Sequence, residues 1–171
     1  MRFGEDIDFS YRIVEAGCKC RLFPEAWVWH KRRTDLRKFF RQVYNSGIAR
    51  INLEKRHPGT MKLVHTLPAL FTIGVIGLVI LSAVGRLLMH YDDPQRWLWL
   101  CIAPWLPVIL FSILIFIDSS IRNRSMKIGA ISVAAAFVQL MGYGFGFISA
   151  WWKRCVCGKD EFQAFEKTFY K

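Results

Sequence analysis

The chain has 171 residues, 53% of them hydrophobic, and it carries 24 lysine and arginine residues against 13 aspartate and glutamate residues. A net charge of +11 on so apolar a chain is unusual for a soluble domain. The basic residues lie mainly beside long uncharged runs, which indicates a membrane protein and argues against a nucleic-acid binder.

The first predicted element is a short helix that begins with a cluster of acids: Glu5, Asp6 and Asp8. The apolar spacing predicts a helix from Asp6 to Ala16, and Gly17 stands where a C′ glycine is expected. Arg12 follows Asp8 by four residues, which predicts an ion pair on one helix face. Acids in a first turn can serve as helix caps, or one of them can be an ionised general base. The residues alone support both interpretations equally.

Two extended segments are predicted next. Cys18–Phe23 alternates apolar and basic residues, and after Pro24 a second alternating segment ends at His30. One helix and two strands are too little to bury a core, so residues 1–33 are predicted to be the end of a larger α/β domain. His30 lies beside three basic residues, where a histidine could ligate a divalent ion or could be structural.

Residues 34–62 are predicted to form an amphipathic basic helix with a linker. Apolar residues recur at helical spacing from Leu36 to Ile51, Thr34 is a plausible N-cap with Asp35 in the first turn, and the helix is expected to end at Arg56. The opposite face is basic: Arg37, Lys38, Arg41 and Arg50. Such a helix, directly before an apolar run, is typical of a membrane interface, although it could also pack on its own domain.

The remaining chain, residues 63–171, is predicted to be a transmembrane region with a short tail. Uncharged runs at 63–85, 97–117 and 128–152 each reach the roughly 20 residues that a membrane-spanning helix needs. The glycines between Gly142 and Gly146 could pack a neighbouring helix or break the third span. Basic residues before the first span predict a cytoplasmic N-terminal portion, whereas those after the third conflict with three full crossings.

The order of these motifs resembles the C-terminal part of the family 2 glycosyltransferase catalytic domain. The similarity is carried by Gly4-Glu5-Asp6-x-Asp8-Phe9-x-x-Arg12, then Gly17, then Phe23-Pro24-x-Ala26-x-Val28-x-His30, and it extends through Arg41-Gln42 and Gly47. The resemblance implies a truncated α/β piece of GT-A type ahead of an interface helix and about three membrane spans. It also implies a multi-pass protein of a bacterial-type inner or plasma membrane, with its catalytic portion in the cytoplasm.

The same resemblance implies transfer of a sugar (hexosyltransferase type) from a nucleotide-sugar, with inversion, to a lipid-linked or cell-surface glycan acceptor. Asp6 matches the general base, with Glu5 and Asp8 beside it. We assign substrate or diphosphate binding to three further residues: Arg12, Arg41 and Gln42. His30 would contribute to a divalent-cation site holding Mg²⁺ or Mn²⁺.

The chain also departs from the family pattern. Gln42 is not followed by the Arg-Trp of processive relatives, which argues against a polymer synthase. The family's nucleotide-binding units and Asp-x-Asp motif are expected upstream of Met1, so we expect the chain to be a fragment that is inactive alone. An alternative from another class is a non-catalytic membrane anchor or assembly subunit that binds anionic lipid or a partner protein.

Overall fold

The computed structural model describes residues 3–29, 35–89, 94–162 and 164. Within these ranges the chain forms six α-helices, numbered in chain order: α1 (Glu5–Glu15), α2 (Leu36–Arg56), α3 (Leu67–Leu88), α4 (Pro94–Ile102), α5 (Leu106–Asn123) and α6 (Met126–Trp151). Short 3₁₀ turns, Leu63–His65 and Ala103–Trp105, precede α3 and α5, and a π-helical turn, Trp152–Val156, continues α6.

The predicted fold class is wrong in its α/β part, because none of the described residues forms a strand. Every residue from Cys18 to Trp29 is exposed, and Trp29 is 91% accessible. An alternating sequence becomes a strand only where a neighbouring strand pairs its backbone and another layer covers its apolar face. Neither is supplied by the described part of the chain. The segment is irregular instead, with one turn in which the Ala26 N–H donates to the Phe23 carbonyl at 3.1 Å.

Helix α1 agrees with its prediction to within one residue at each end. Gly17 has a φ of +77°, in the left-handed region that a side chain would strain. Its N–H donates to the Val14 carbonyl, and the Cys18 N–H donates to the Ile13 carbonyl at 3.1 Å. These two bonds form a Schellman motif, so the predicted C′ glycine is confirmed.

Helix α2 is present where the sequence predicts it, but Asp35 is its N-cap rather than a first-turn residue. The Asp35 carboxylate accepts the Arg37 N–H at 2.7 Å. The predicted cap, Thr34, lies outside the described residues. From Gly47 to Leu53 every residue of α2 is buried. The basic face is therefore interrupted, and contact of α2 with a membrane interface stays a prediction.

The chain divides into two compact units: a first unit of residues 1–69 with 141–171, and a second unit of residues 70–140. In the first unit α2 packs on the second half of α6. Its core consists of Ile48, Ile51, Ala69, Phe147 and Ala150.

Glycines make the close approach of α2 to α6 possible. A Cβ at Gly146 would strike the backbone of Tyr44, and one at Gly47 would strike the backbones of Tyr143 and Phe147. Helix α6 continues without a break through these positions. The glycines therefore pack a neighbouring helix and do not break the span.

Buried asparagines of α2 hold the chain that follows α6. Asn45 is 1% exposed, and its side-chain amide donates to the Ala164 carbonyl and accepts the Ala164 N–H, each at 3.0 Å. Asn52, equally buried, accepts from Arg154 at 2.7 Å and donates to the Phe162 carbonyl at 3.4 Å. These bonds tie Phe162 and Ala164 to α2.

The second unit contains most of the apolar helical length. Phe71, Phe111 and Phe137 form a ring cluster with centroid distances of 5.8–6.2 Å, and the Trp105 indole donates to Ser82 Oγ at 2.9 Å. Three helical stretches of the described chain are long and apolar enough to cross a membrane: Leu67–Leu88, Trp97–Asn123 and Met126–Val156. They match the three predicted runs and are consistent with a membrane location, while sidedness stays a prediction.

Candidate functional site

The acidic cluster lies on α1, and the helix divides its carboxylates between two faces. Successive residues of an α-helix are turned by about 100°, so Asp6 and Asp8 diverge while Glu5 and Asp8 share one side. Glu5 and Asp8 line a cavity of about 600 Å³ with Arg12, Arg56 and His57, which we call the Asp8 cavity. Asp6 lines a different cavity. The three acids that adjoin in sequence therefore do not form one cluster.

Asp8 is a buried carboxylate, 7% exposed, that is fully engaged by cationic partners. His57 Nε2 lies 3.0 Å from Asp8 Oδ1, and the other oxygen faces Arg12 Nε at 3.4 Å and Arg56 Nη1 at 3.5 Å. The hydrogen bond from His57 is the largest of the influences that hold the pKa of Asp8 below its usual 3.8. Asp8 is therefore ionised, and the i,i+4 pair predicted with Arg12 is present.

His57 joins α1 to the end of α2, because its two ring nitrogens face two carboxylates of α1. Nδ1 lies 2.8 Å from Glu15 Oε1, opposite the contact with Asp8, and the ring packs on Tyr11 at a centroid distance of 5.2 Å. The bonds to Asp8 and then Glu15 raise the pKa of His57 above its usual 6.5, since the imidazolium can donate from both nitrogens. The sequence indicated only a helix break at this position.

Glu54 explains why the chain turns at His57. Its carboxylate accepts the backbone N–H groups of Gly59 at 2.8 Å and Met61 at 2.7 Å, and this folds the loop back on α2. The bond from Gly59 is the main reason that the pKa of Glu54 lies below its usual 4.5. An ionised Glu54 thus fixes the loop that carries His57.

The second cavity, of about 420 Å³, lies beside the N-terminus of α1, and we call it the Asp6 cavity. Its polar lining residues come from α1, α2, the turn before α3, and α6: Asp6, Gln42, Ser46, Arg50, His65 and Tyr143. Among the described residues, no hydrogen bond or ion pair engages the Asp6 carboxylate. Its exposed carboxylate is therefore able to accept a proton from a bound molecule, unlike that of Asp8.

Arg50 is one of the site residues that the sequence analysis missed, as are His57 and His65. Arg50 was placed on the basic face of α2, but it is only 7% exposed. Its Nη2 donates to Thr60 Oγ1 at 2.9 Å, and its hydrogen bond to Tyr11 is the main cause of a Tyr11 pKa below the usual 10.0. In sequence, Arg50 stands between Ala49 and Ile51, both apolar, and this was the available sign of burial.

His65 completes the Asp6 cavity with a neutral imidazole. Its Nδ1 accepts the Lys62 N–H at 3.0 Å, which leaves the ring proton on Nε2. Partial burial, helped by the positive charges of Arg50 and Lys62, lowers the pKa of His65 below its usual 6.5. The ring is therefore a hydrogen-bond donor at neutral pH.

The remaining predicted site residues are distributed differently. Gln42 lines the Asp6 cavity, Arg12 lines the Asp8 cavity, and Arg41 on α2 lines neither of them. His30, the predicted metal ligand, lies outside the described residues. Within the described ranges, no group of three or more His, Cys, Asp or Glu side chains could hold a metal ion. The described residues thus do not fit a divalent cation by themselves.

Sequence comparison relates the chain to a glycosyltransferase. Two curated proteins, the pre-mycofactocin glycosyltransferases of Mycobacterium tuberculosis strains CDC 1551 / Oshkosh and ATCC 25618 / H37Rv, are each 34% identical to it over 85 residues. The match covers 50% of this chain and only 17% of each relative's length. No protein-family model and no solved structure matches the chain. The similarity over half of the chain supports a glycosyltransferase relationship.

Proposed function

We propose that the chain is the C-terminal part of a membrane-anchored, inverting family 2 glycosyltransferase. The enzyme would transfer a sugar from a nucleotide-sugar to a lipid-linked or cell-surface glycan acceptor. The observation that carries the proposal is the Asp6 cavity, which is lined by the acid that matches the family's base together with Gln42 and a hydrogen-bond-donating His65. Its other supports are the sequence similarity and the three apolar helices.

In this proposal Asp6 is the general base. The acceptor hydroxyl gives its proton to the Asp6 carboxylate while its oxygen forms a bond to the anomeric carbon of the donor sugar. The bond from that carbon to the nucleoside diphosphate breaks on the opposite face, which inverts the configuration. Asp8 is unsuited to this role because His57, Arg12 and Arg56 occupy its oxygens.

The remaining residues of the Asp6 cavity would orient the acceptor. The Gln42 amide can both donate and accept a hydrogen bond, and His65 Nε2–H can donate one. Asp8 and His57 would act as positioning residues, since their bond fixes the rotation of α1 and hence the direction of Asp6. A bound Mg²⁺ or Mn²⁺ would neutralise the leaving diphosphate, but the described residues do not hold one and no step is assigned to it.

The experiment that tests this function is transfer of a radiolabelled sugar by the full-length protein carrying this chain. Asp6→Asn keeps the size of the side chain and removes its basicity, so we expect transfer to fall by about 10²–10⁴-fold. Glu25→Gln is the matched control, because Glu25 is an exposed acid outside both cavities. Equal transfer by Asp6→Asn and the unchanged protein would refute the base assignment.

The same assay separates the enzyme from the alternative of a non-catalytic anchor or assembly subunit. An anchor predicts that Asp6→Asn and Glu25→Gln behave alike, whichever partner supplies the transfer activity. An enzyme predicts loss in the first variant only. Membrane incorporation of both proteins should be equal, since each substitution changes an exposed residue outside the three apolar helices.

A further inference from the structure

Arg50 is a buried cation that forms no direct ion pair with the described residues, although the Glu54 carboxylate lies near enough to feel its charge. Its side chain lines the Asp6 cavity, yet the described residues place no carboxylate within ion-pair distance of its guanidinium. Its Nε is buried and has no hydrogen-bond partner among those residues. The Glu54 oxygens are bonded to Gly59, Thr60 and Met61 rather than to the guanidinium. Burying a charge is costly unless an opposite charge pairs with it directly, so an anion in this cavity would find a cation that still lacks a direct ion pair.

The other groups of the cavity fit a phosphate together with a hydroxyl. His65 offers an Nε2–H donor, and Gln42 and Ser46 line the wall beside it. Asp6 lies in the same cavity, so an acceptor that presents a hydroxyl to Asp6 can place a second, anionic group toward Arg50. A phosphate takes several donors at once, which suits a planar guanidinium better than a lysine.

The position of the cavity along the chain favours a lipid. His65 comes two residues before the apolar helix Leu67–Leu88, and Tyr143 belongs to the apolar stretch Met126–Val156. A buried arginine in a pocket beside the start of a membrane helix is a place where a lipid phosphate is expected. A free nucleotide has no such need for apolar surroundings.

We propose that the Asp6 cavity binds the phosphate of a lipid-linked acceptor through Arg50. This inference rests on the proposed function for the identity of the acceptor, while the binding itself needs no donor sugar. The nucleoside diphosphate of the donor is the other source of phosphate, and the experiment distinguishes the two.

The test is titration calorimetry on the full-length protein in detergent micelles, with farnesyl phosphate as the probe. Farnesol, which has the same isoprenoid chain without the phosphate, is the control for apolar binding. Uridine diphosphate represents the nucleoside diphosphate of the donor. Arg50→Met keeps an unbranched stem without the charge, and Arg50→Lys keeps the charge without the planar fork. Lys55→Met removes one charge from an exposed position of the same helix and is the matched control.

We expect farnesyl phosphate to bind more tightly than farnesol. Arg50→Met should weaken this binding by about 10- to 100-fold, the range expected for a charge-assisted hydrogen bond. Arg50→Lys should weaken it less, and Lys55→Met should leave it within twofold. Uridine diphosphate affinity should be the same in all four proteins.

Equal loss in Arg50→Met and Lys55→Met would overturn the inference, as would an Arg50 effect confined to uridine diphosphate. If circular dichroism shows that Arg50→Met does not fold, the unchanged protein decides, because equal affinity for farnesyl phosphate and farnesol also overturns it. Loss of transfer in Asp6→Asn together with unchanged phosphate affinity in Arg50→Met would leave the proposed function standing and remove this inference alone.

Discussion

The contact between α2 and α6 predicts opposite effects for two chemically identical substitutions, Gly146→Ala and Gly77→Ala. A Cβ at Gly146 would lie 2.8 Å from the carbonyl carbon and 3.1 Å from the Cα of Tyr44, against about 3.5–4.0 Å for an ordinary carbon contact. The carbonyl oxygen of Tyr44 would be closer still, so the helices must separate by roughly 1 Å or more. Overpacking of this kind costs about 1–3 kcal/mol. At Gly77 no atom lies within 4 Å of the new methyl group.

Both substitutions gain about 1 kcal/mol from the higher helix propensity of alanine. This gain cancels in the comparison, so Gly146→Ala should be less stable than Gly77→Ala by about 1–3 kcal/mol. For a chain of this size, that corresponds to a difference in melting temperature of roughly 2–12 °C. Thermal unfolding in detergent, followed by the circular dichroism of the helices, measures it. Equal melting temperatures would refute the packing argument, because they would mean that Tyr44 yields at no cost.

Two further predictions concern polar contacts of the first unit. The pKa of His57 is raised by its bonds to α1, so its stabilisation is complete below about pH 6.5 and is lost as pH rises through the raised pKa. The stabilisation that Asp8 contributes depends on pH in the opposite direction. Because its pKa is lowered, this stabilisation is complete above about pH 3.8 and is lost on acidification. The melting temperature of the unchanged protein should therefore decline as the pH rises through the pKa of His57. His57→Gln should abolish this decline. If the variant shows the same dependence of melting temperature on pH, His57 is not its cause. Asn45→Ala leaves the backbone of Ala164 without these two bonds, at a cost of about 1–3 kcal/mol. Limited proteolysis should therefore cut the chain after α6 faster in this variant than in Lys38→Ala, a control at an exposed position of the same helix. Equal cleavage of the two variants would contradict the prediction.

Much of the helical fold could be predicted because its causes are local. The Gly17 cap, the spacing of α2 and the length of the apolar runs are each properties of a few turns of chain. The predicted strands failed because a strand depends on partners elsewhere, and residues 18–29 have none in the described part of the chain.

The candidate site was only partly predictable, for a related reason. Asp6 and Gln42 were named from motifs, and the structure brings both to one cavity. Arg50 and His57 were not named as site residues. By sequence alone, Arg50 belongs to a basic helix and His57 precedes a proline, and both patterns are typical of surface residues. Arg50 is bonded to Thr60 of the following loop and to Tyr11 of α1, contacts that the helical pattern of α2 does not reveal.

The structure places in different surroundings the acids that a motif treats as one group. Helix α1 has a period of 3.6 residues, so the bond that locks Asp8 to His57 also sets the angle at which Asp6 leaves the helix. A rotation of one residue, about 100°, would take Asp6 out of its cavity and leave Asp8 without its cations. The two-residue spacing of these aspartates therefore directs Asp8 into a buried, paired position and leaves Asp6 exposed at the other cavity.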